Sequence, residues 1–172
     1  EVYAKYTAWA SEYDPEMSAL LTANPDYAKA IFAIGRGGKK PRKDFTVWTD
    51  VRPYLDFFYD DLFAIKDAFP EGTDMADVKA TIAAFKATYD PADEMTVWFD
   101  KVKAIATELG YAADMKAYKA DPTAFKGSVA DVSGFLRLAV TGKLNAPDLY
   151  TVMQILGEDE TRARIANMIE KI

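Results

Sequence analysis

Val129-Ala130-Asp131-Val132-Ser133-Gly134-Phe135-Leu136-Arg137-Leu138-Ala139-Val140-Thr141-Gly142 is the most regular stretch of the chain. Val129, Val132, Leu136 and Val140 recur at spacings of three and four, which puts them on one face of an α-helix. Gly142 then stands where a left-handed C-terminal cap is needed. Just downstream, Asn145-Ala146-Pro147-Asp148 opens a helix containing Leu149, Val152 and Leu156, and Gly157 separates it from a last helix, Glu158 to Ile172.

The same grammar runs back through the chain. Asp14-Pro15-Glu16 and Asn24-Pro25-Asp26 each place a capping side chain before a proline at the first helical position, with an acid after it. The helix begun at Asn24 carries Tyr27, Ile31 and Ile34 and stops at Gly35. Thr49-Asp50 can cap a helix through Val51, Tyr54, Leu55, Phe58 and Leu62, with Pro53 tolerated in its first turn. Pro70-Glu71-Gly72 is a loop. Thr73 to about Tyr89 is a further helix with Val78, Ile82 and Phe85 on one face, and Asp90-Pro91 breaks it before another from about Asp93 to Leu109. Alternation at period two is nowhere sustained, and only Phe45 to Trp48 reads as extended. The expectation is an all-α protein of two consecutive helical bundles, residues 1–70 and 71–172.

Composition narrows the chemistry. Half of the 172 residues are apolar, enough for a substantial core, and no apolar run approaches the roughly 18 residues of a membrane span. No basic patch followed by a short apolar run marks the N-terminus, so the chain reads as soluble and cytoplasmic. It opens at Glu1 inside a helical pattern (Val2, Tyr3, Tyr6, Trp9), the mark of an excised fragment. Cysteine and histidine are both absent. A thiol nucleophile, a thiolate metal site, the commonest general base and the activator of most serine nucleophiles go with them. A self-sufficient enzyme therefore has little support, and no cofactor is expected in this chain.

The net charge of −6 argues against nucleic acid until its distribution is considered. Arg36, Lys39, Lys40, Arg42 and Lys43 crowd five positive charges into eight residues, and the adjacent Gly37 and Gly38 let the backbone approach a partner. A Walker loop requires a Gly-Lys-Ser/Thr ending, which Gly38-Lys39-Lys40 lacks, so the choice lies between a solvated loop and an RNA contact. Most aromatics, among them Trp9, Phe32, Phe57, Phe58, Trp98 and Phe99, sit at helical spacing and read as core; Trp48, just after the basic loop, is the candidate for touching RNA. Asp60-Asp61 and Glu158-Asp159-Glu160 read as solvated faces or helix-dipole partners, with no metal site expected.

Phe135-Leu136-Arg137-Leu138-Ala139-Val140-Thr141-Gly142, followed by Pro147-Asp148-Leu149-Tyr150 and Ile155-Leu156-Gly157, is similar to a pattern near the C-terminus of bacterial glutamyl-tRNA synthetases. Pro41-Arg42 and Tyr54-Leu55-Asp56-Phe57-Phe58 resemble the basic start and Phe-rich helix of that family's anticodon domain. The resemblance implies a two-part helical anticodon-binding region, monomeric, whose larger protein carries a class I catalytic domain joining glutamate to tRNA with ATP and Mg²⁺. That domain's His-Ile-Gly-His-type signature is absent here, as is any Lys-Met-Ser-Lys-Ser-like loop.

By this resemblance Arg42 and Arg137 read anticodon bases, and Ala146, Pro147 and Leu149 line the pocket for a base. Arg36, Lys39, Lys40, Lys43 and Lys143 grip the RNA backbone. The implied partner is glutamate tRNA, with acceptance of glutamine tRNA left open, and neither DNA nor a membrane is expected. Two departures stand out: Ala146 where the family often has a larger polar residue, and Phe135 in place of the usual proline. Beside these roles stand plainer ones. Arg137 also suits a cation near a helix C-terminus, stabilised by about 0.3–1 kcal/mol. The whole chain, with its acidic surface, also suits a helical protein-interaction module that never meets RNA.

Overall fold

The computed structural model describes residues 1–172 and is all-helical, with ten α-helices joined by short 3-10 turns and loops. Pairing of extended backbone is limited to one isolated parallel bridge, Ala112 with Ser128. Phe45–Trp48, expected to be extended, forms no strand; Trp48 begins a 3-10 turn that runs to Asp50. No helix is long and apolar enough to cross a membrane.

The chain divides into two compact units, residues 1–64 with 146–155, and residues 65–145 with 156–172. The chain thus returns to the first unit at Ala146 and leaves it after Ile155, a course that a single cut near residue 70 does not describe.

In the first unit, α1 (Val2–Tyr13), α2 (Pro15–Ala23) and α3 (Pro25–Ala33) pack together. Their ends are set by the caps legible in sequence: Asp14 accepts the Met17 N–H and Asn24 the Tyr27 N–H at 3.1 Å. Tyr6, Ala10, Met17, Leu21, Ala28 and Ile31 are completely buried. Burial of each larger aliphatic side chain contributes roughly 1.5–3 kcal/mol. The same unit contains α9 (Leu149–Leu156) up to Ile155, and the buried residues of that helix are Leu149, Val152 and Met153.

The helix expected from Thr49 to Leu62 is broken up. Trp48–Asp50 is a 3-10 turn, α4 spans only Val51–Leu55, and Asp56–Phe58 is again 3-10. The reason is burial. Leu55, Asp56, Phe57, Phe58 and Tyr59 are all inside, and one face of a regular helix cannot bury five consecutive side chains. The tighter turn brings the Phe57 and Phe58 rings to 4.3 Å, and the Phe58 carbonyl accepts the Tyr27 hydroxyl at 2.8 Å. Arg52 leaves α4 sideways to grip Asp14 at 2.6 Å and Glu16 beside it.

In the second unit α5 (Met75–Thr88), α6 (Met95–Glu108) and α8 (Val129–Thr141) pack against one another, and α10 (Glu158–Lys171) packs on α5 and α8. Between α6 and α8 comes the short α7 (Met115–Ala120), which the sequence reading did not include. Ser128 and Asp131 form a reciprocal capping box at the start of α8, and Gly142, at φ 73°, ends it with its N–H on the Leu138 carbonyl. Arg164 of α10, only 2% exposed, donates at 2.7 Å to the Val140 carbonyl in the last turn of α8. The C-terminal end of α8 is thereby tied to a second helix.

Candidate nucleic-acid interface

The basic loop lies in the first unit and begins at Gly35, whose φ of 67° belongs to the region only glycine occupies without strain. Any Cβ there would sit 2.4 Å from the Arg42 Cδ. The absence of a side chain lets the loop close on itself, with the Arg42 N–H donating to the Gly35 carbonyl at 2.9 Å.

Two arginines then converge on one carboxylate. Asp44, its side chain 7% exposed, receives Arg42 at 2.7 Å and Arg36 at 3.3 Å. Arg36 also donates to the Phe32 carbonyl, and its guanidinium lies 4.8 Å from the centre of the Phe45 ring and 5.9 Å from that of Tyr54. Burial raises the Tyr54 phenol above its usual pKa, and the nearby Asp44 charge adds to the effect. The two arginines, both expected to reach RNA, one at a base and one at the backbone, therefore differ in exposure. Arg36 is held inside the loop, whereas the Arg42 side chain is 43% exposed and keeps an outer edge to solvent. Lys39, Lys40 and Lys43 are exposed and form no ion pair. The loop carries its positive charge outward on Lys39, Lys40, Arg42 and Lys43.

In the second unit Arg137 is half-buried on α8, and Lys143 follows the cap at Gly142. Thr141, completely buried, joins their backbones: its hydroxyl donates to the Arg137 carbonyl at 2.8 Å and accepts the Lys143 N–H at 3.1 Å. The turn is held from outside as well. The Gly142 carbonyl accepts the Lys66 and Asp67 N–H groups at 2.9 and 3.0 Å, and the Asp67 carboxylate accepts the Leu144 N–H at 2.7 Å.

Ala146, Pro147 and Leu149 belong to the first unit, the boundary falling between Asn145 and Ala146. Ala146 is half-buried, Pro147 is buried, and Leu149 is 2% exposed as part of the core. Leu149 thus presents no open apolar surface in this structure, which its helical spacing could not reveal because core and pocket residues share that spacing. The sequence reading also missed Asp44, Asp67 and Thr141. Asp44 had a local signal, an acid closing a run of cations. Asp67 had none, because its partner lies 77 positions away.

A cavity of about 760 Å³ within the second unit was also illegible in sequence; it is lined by Phe69, Asp77, Tyr111, Lys126, Asp131 and Phe135 among others. The buried Asp77 accepts the Tyr111 hydroxyl at 3.0 Å and Lys126 at 3.0 Å. Burial first, then the Asp77 carboxylate, pushes the Tyr111 phenol up to about 12. No group of three or more acids is placed to hold a metal ion.

Residues 41–169 match the family model of an anticodon binding domain. Over 171 residues the chain is 47% identical to the glutamate–tRNA ligase of Sorangium cellulosum, covering 98% of this chain and 30% of that protein. It is 44% identical to the enzyme of the same name from Clostridium perfringens, with 95% of this chain and 31% of the relative covered. The corresponding protein of Acetivibrio thermocellus is 40% identical, with 98% and 31% covered. The chain therefore spans about 30% of the length of the relatives it matches.

Proposed function

This chain belongs to the anticodon-binding domain family, and from that premise we propose that it reads the anticodon arm of glutamate tRNA for a larger cytoplasmic protein, a glutamate–tRNA ligase. The catalytic domain of that protein, outside this chain, attaches glutamate using ATP and Mg²⁺. The observation that carries the proposal is the near-complete coverage of this chain by ligases of that name at 40–47% identity.

Arg42 and Arg137 are the proposed base readers. A guanidinium has a planar fork that donates two hydrogen bonds to a base edge and a flat face that stacks on an unpaired base. The exposed outer edge of Arg42 suits the first use, and its ion pair with Asp44 fixes the plane in which that edge lies. The position of Arg137 follows from its backbone tie to the buried Thr141. Lys39, Lys40, Lys43 and Lys143 take phosphates, with Arg36 reassigned in this proposal to holding the loop from within. Ala146, Pro147 and Leu149 contribute backbone and shape to a base pocket, since Pro147 and Leu149 are buried. In this proposal each of the two compact units contributes one RNA-contacting part, and the chain acts as a monomer.

The test is binding of this chain to a glutamate-tRNA anticodon stem-loop at low and moderate salt, beside stem-loops altered at the first and third anticodon bases. Binding that depends on the anticodon and weakens with salt is expected. Arg137→Ala should cost about 1–3 kcal/mol of affinity and relax discrimination at one base. Unchanged selectivity would remove Arg137 from the site. No binding at either salt would leave a dependent appendage of the larger protein or the acidic protein-interaction module.

A further inference from the structure

We propose that the groove beside the basic loop, walled by Phe45 and Trp48, is a stacking platform for one unpaired nucleobase of the bound RNA. The inference rests on the anticodon-reading role and adds to it a site that neither arginine supplies.

The groove, about 520 Å³, lies in the first unit and is lined by Val2, Phe45, Thr46, Val47 and Trp48. None of these carries a charge. Val47 is 55% exposed, and Thr46 is exposed with no hydrogen bond from its hydroxyl. The two aromatic walls are fixed from behind. The Trp48 ring lies 5.9 Å from that of Tyr6, which is completely buried, and the Phe45 ring has Arg36 over it and meets Phe32 and Tyr54 edge-on. Asp50 fixes the floor by accepting the Thr46 and Val47 N–H groups at 2.9 and 3.1 Å. A rigid aromatic wall next to an exposed hydroxyl suits a flat ring with polar edges.

Charge decides among flat ligands. Lys39, Lys40, Arg42 and Lys43, all exposed, precede the groove in the chain, with Asp44 alone between Lys43 and Phe45. Asp44 is neutralised by two arginines, and Asp50 is turned to the backbone of Thr46 and Val47. An apolar slot at the end of a positive track suits a base on a phosphate backbone, because stacking onto aromatic rings is open to every base while the cations hold the strand.

The experiment substitutes 2-aminopurine, one loop position at a time, into the anticodon stem-loop and follows its fluorescence and affinity with this chain as Trp48→Leu and Trp48→Phe. Leucine keeps apolar bulk against Tyr6 but has no π-face. One loop position should be quenched by the parent chain and by Trp48→Phe. Trp48→Leu should abolish that quenching and lower affinity about tenfold, as expected for one stacked base, with the salt dependence unchanged because phosphate contacts remain. Thermal melting of all three chains checks that the variants fold, and recovery by phenylalanine separates stacking from simple support. Anticodon-dependent binding that survives Trp48→Leu undiminished overturns the platform and leaves the reader role standing. Altered self-association of the RNA-free Trp48→Leu chain with unchanged RNA affinity assigns the groove to a second copy and equally overturns it. Absence of RNA binding by the parent chain removes both readings.

Discussion

The loops at 35–44 and 142–145 both follow a helix, both begin at a glycine with positive φ, and both carry lysines or arginines proposed to meet RNA, yet they are stabilised at different ranges. The hydrogen bonds that close the first span at most eight positions: Gly35 with Arg42, Asp44 with Arg36 and Arg42, and Arg36 with Phe32. The second is held by Asp67, 77 positions before Leu144, with Arg164 securing the adjoining helix end 24 positions after Val140. The first loop is made by its own sequence; the second takes its shape from the fold. A surface that must keep several like charges together needs one or other of these devices, since an unsupported run of cations repels itself apart.

This contrast can be broken in stages. The largest effect is expected from Arg164→Ala, which leaves the Val140 carbonyl without its buried charged donor and strips Glu160 of its partner. A loss of about 3 kcal/mol in unfolding free energy by urea titration is expected. A value near zero would mean that water replaces the guanidinium and that α8 needs no tie to α10. Next comes Gly35→Ala, for which left-handed backbone and displacement of the Arg42 side chain together cost about 2 kcal/mol. Because that loop is local, RNA affinity should fall with it, whereas amide protection around Leu144 should stay as it was; a change there would abolish the distinction between the loops.

Asp67→Ala should do the converse, costing about 1 kcal/mol and speeding exchange of the Leu144 amide, with Asp67→Asn, which keeps an acceptor, restoring most of the protection. The smallest effect is a matter of pH. The Thr46 and Val47 N–H groups hold the exposed Asp50 carboxyl below its usual range. A depressed carboxyl contributes stability above its unfolded value, and that contribution is lost as pH falls through the folded one. Acidification below about pH 4 should therefore loosen the Thr46 and Val47 amides, followed by exchange in the acid range, and Asp50→Asn should flatten the profile.

How much was legible follows the same division between near and far. Asp14, Asn24 and Ser128 cap the helices they were expected to, or in Ser128's case one expected without a stated cap, and Gly142 and Gly157 stand at the expected helix ends. These features act over three or four residues, so sequence spacing is enough to find them. The Thr49–Leu62 helix failed because its apolar residues were read as one face, while the fold buries five in a row. At the candidate interface, the cations of the first loop were visible as a cluster, but the separation of Arg36 from Arg42 was not, because it turns on which guanidinium lies over Phe45.

The sequence by itself determined that the chain is helical, where most of its helices start and stop, which chemistries its missing histidine and cysteine remove, and where its positive charge is concentrated. Only the tertiary structure decided that residues 146–155 return to the first unit, that Leu149 is core, that Arg164 holds the end of α8, and that Phe45 and Trp48 wall a groove. The physical reason is range. Caps, turns and periodicity are settled by neighbours along the chain, whereas burial and long-range hydrogen bonds are settled by whichever segments the whole fold brings together, and no local pattern records that choice.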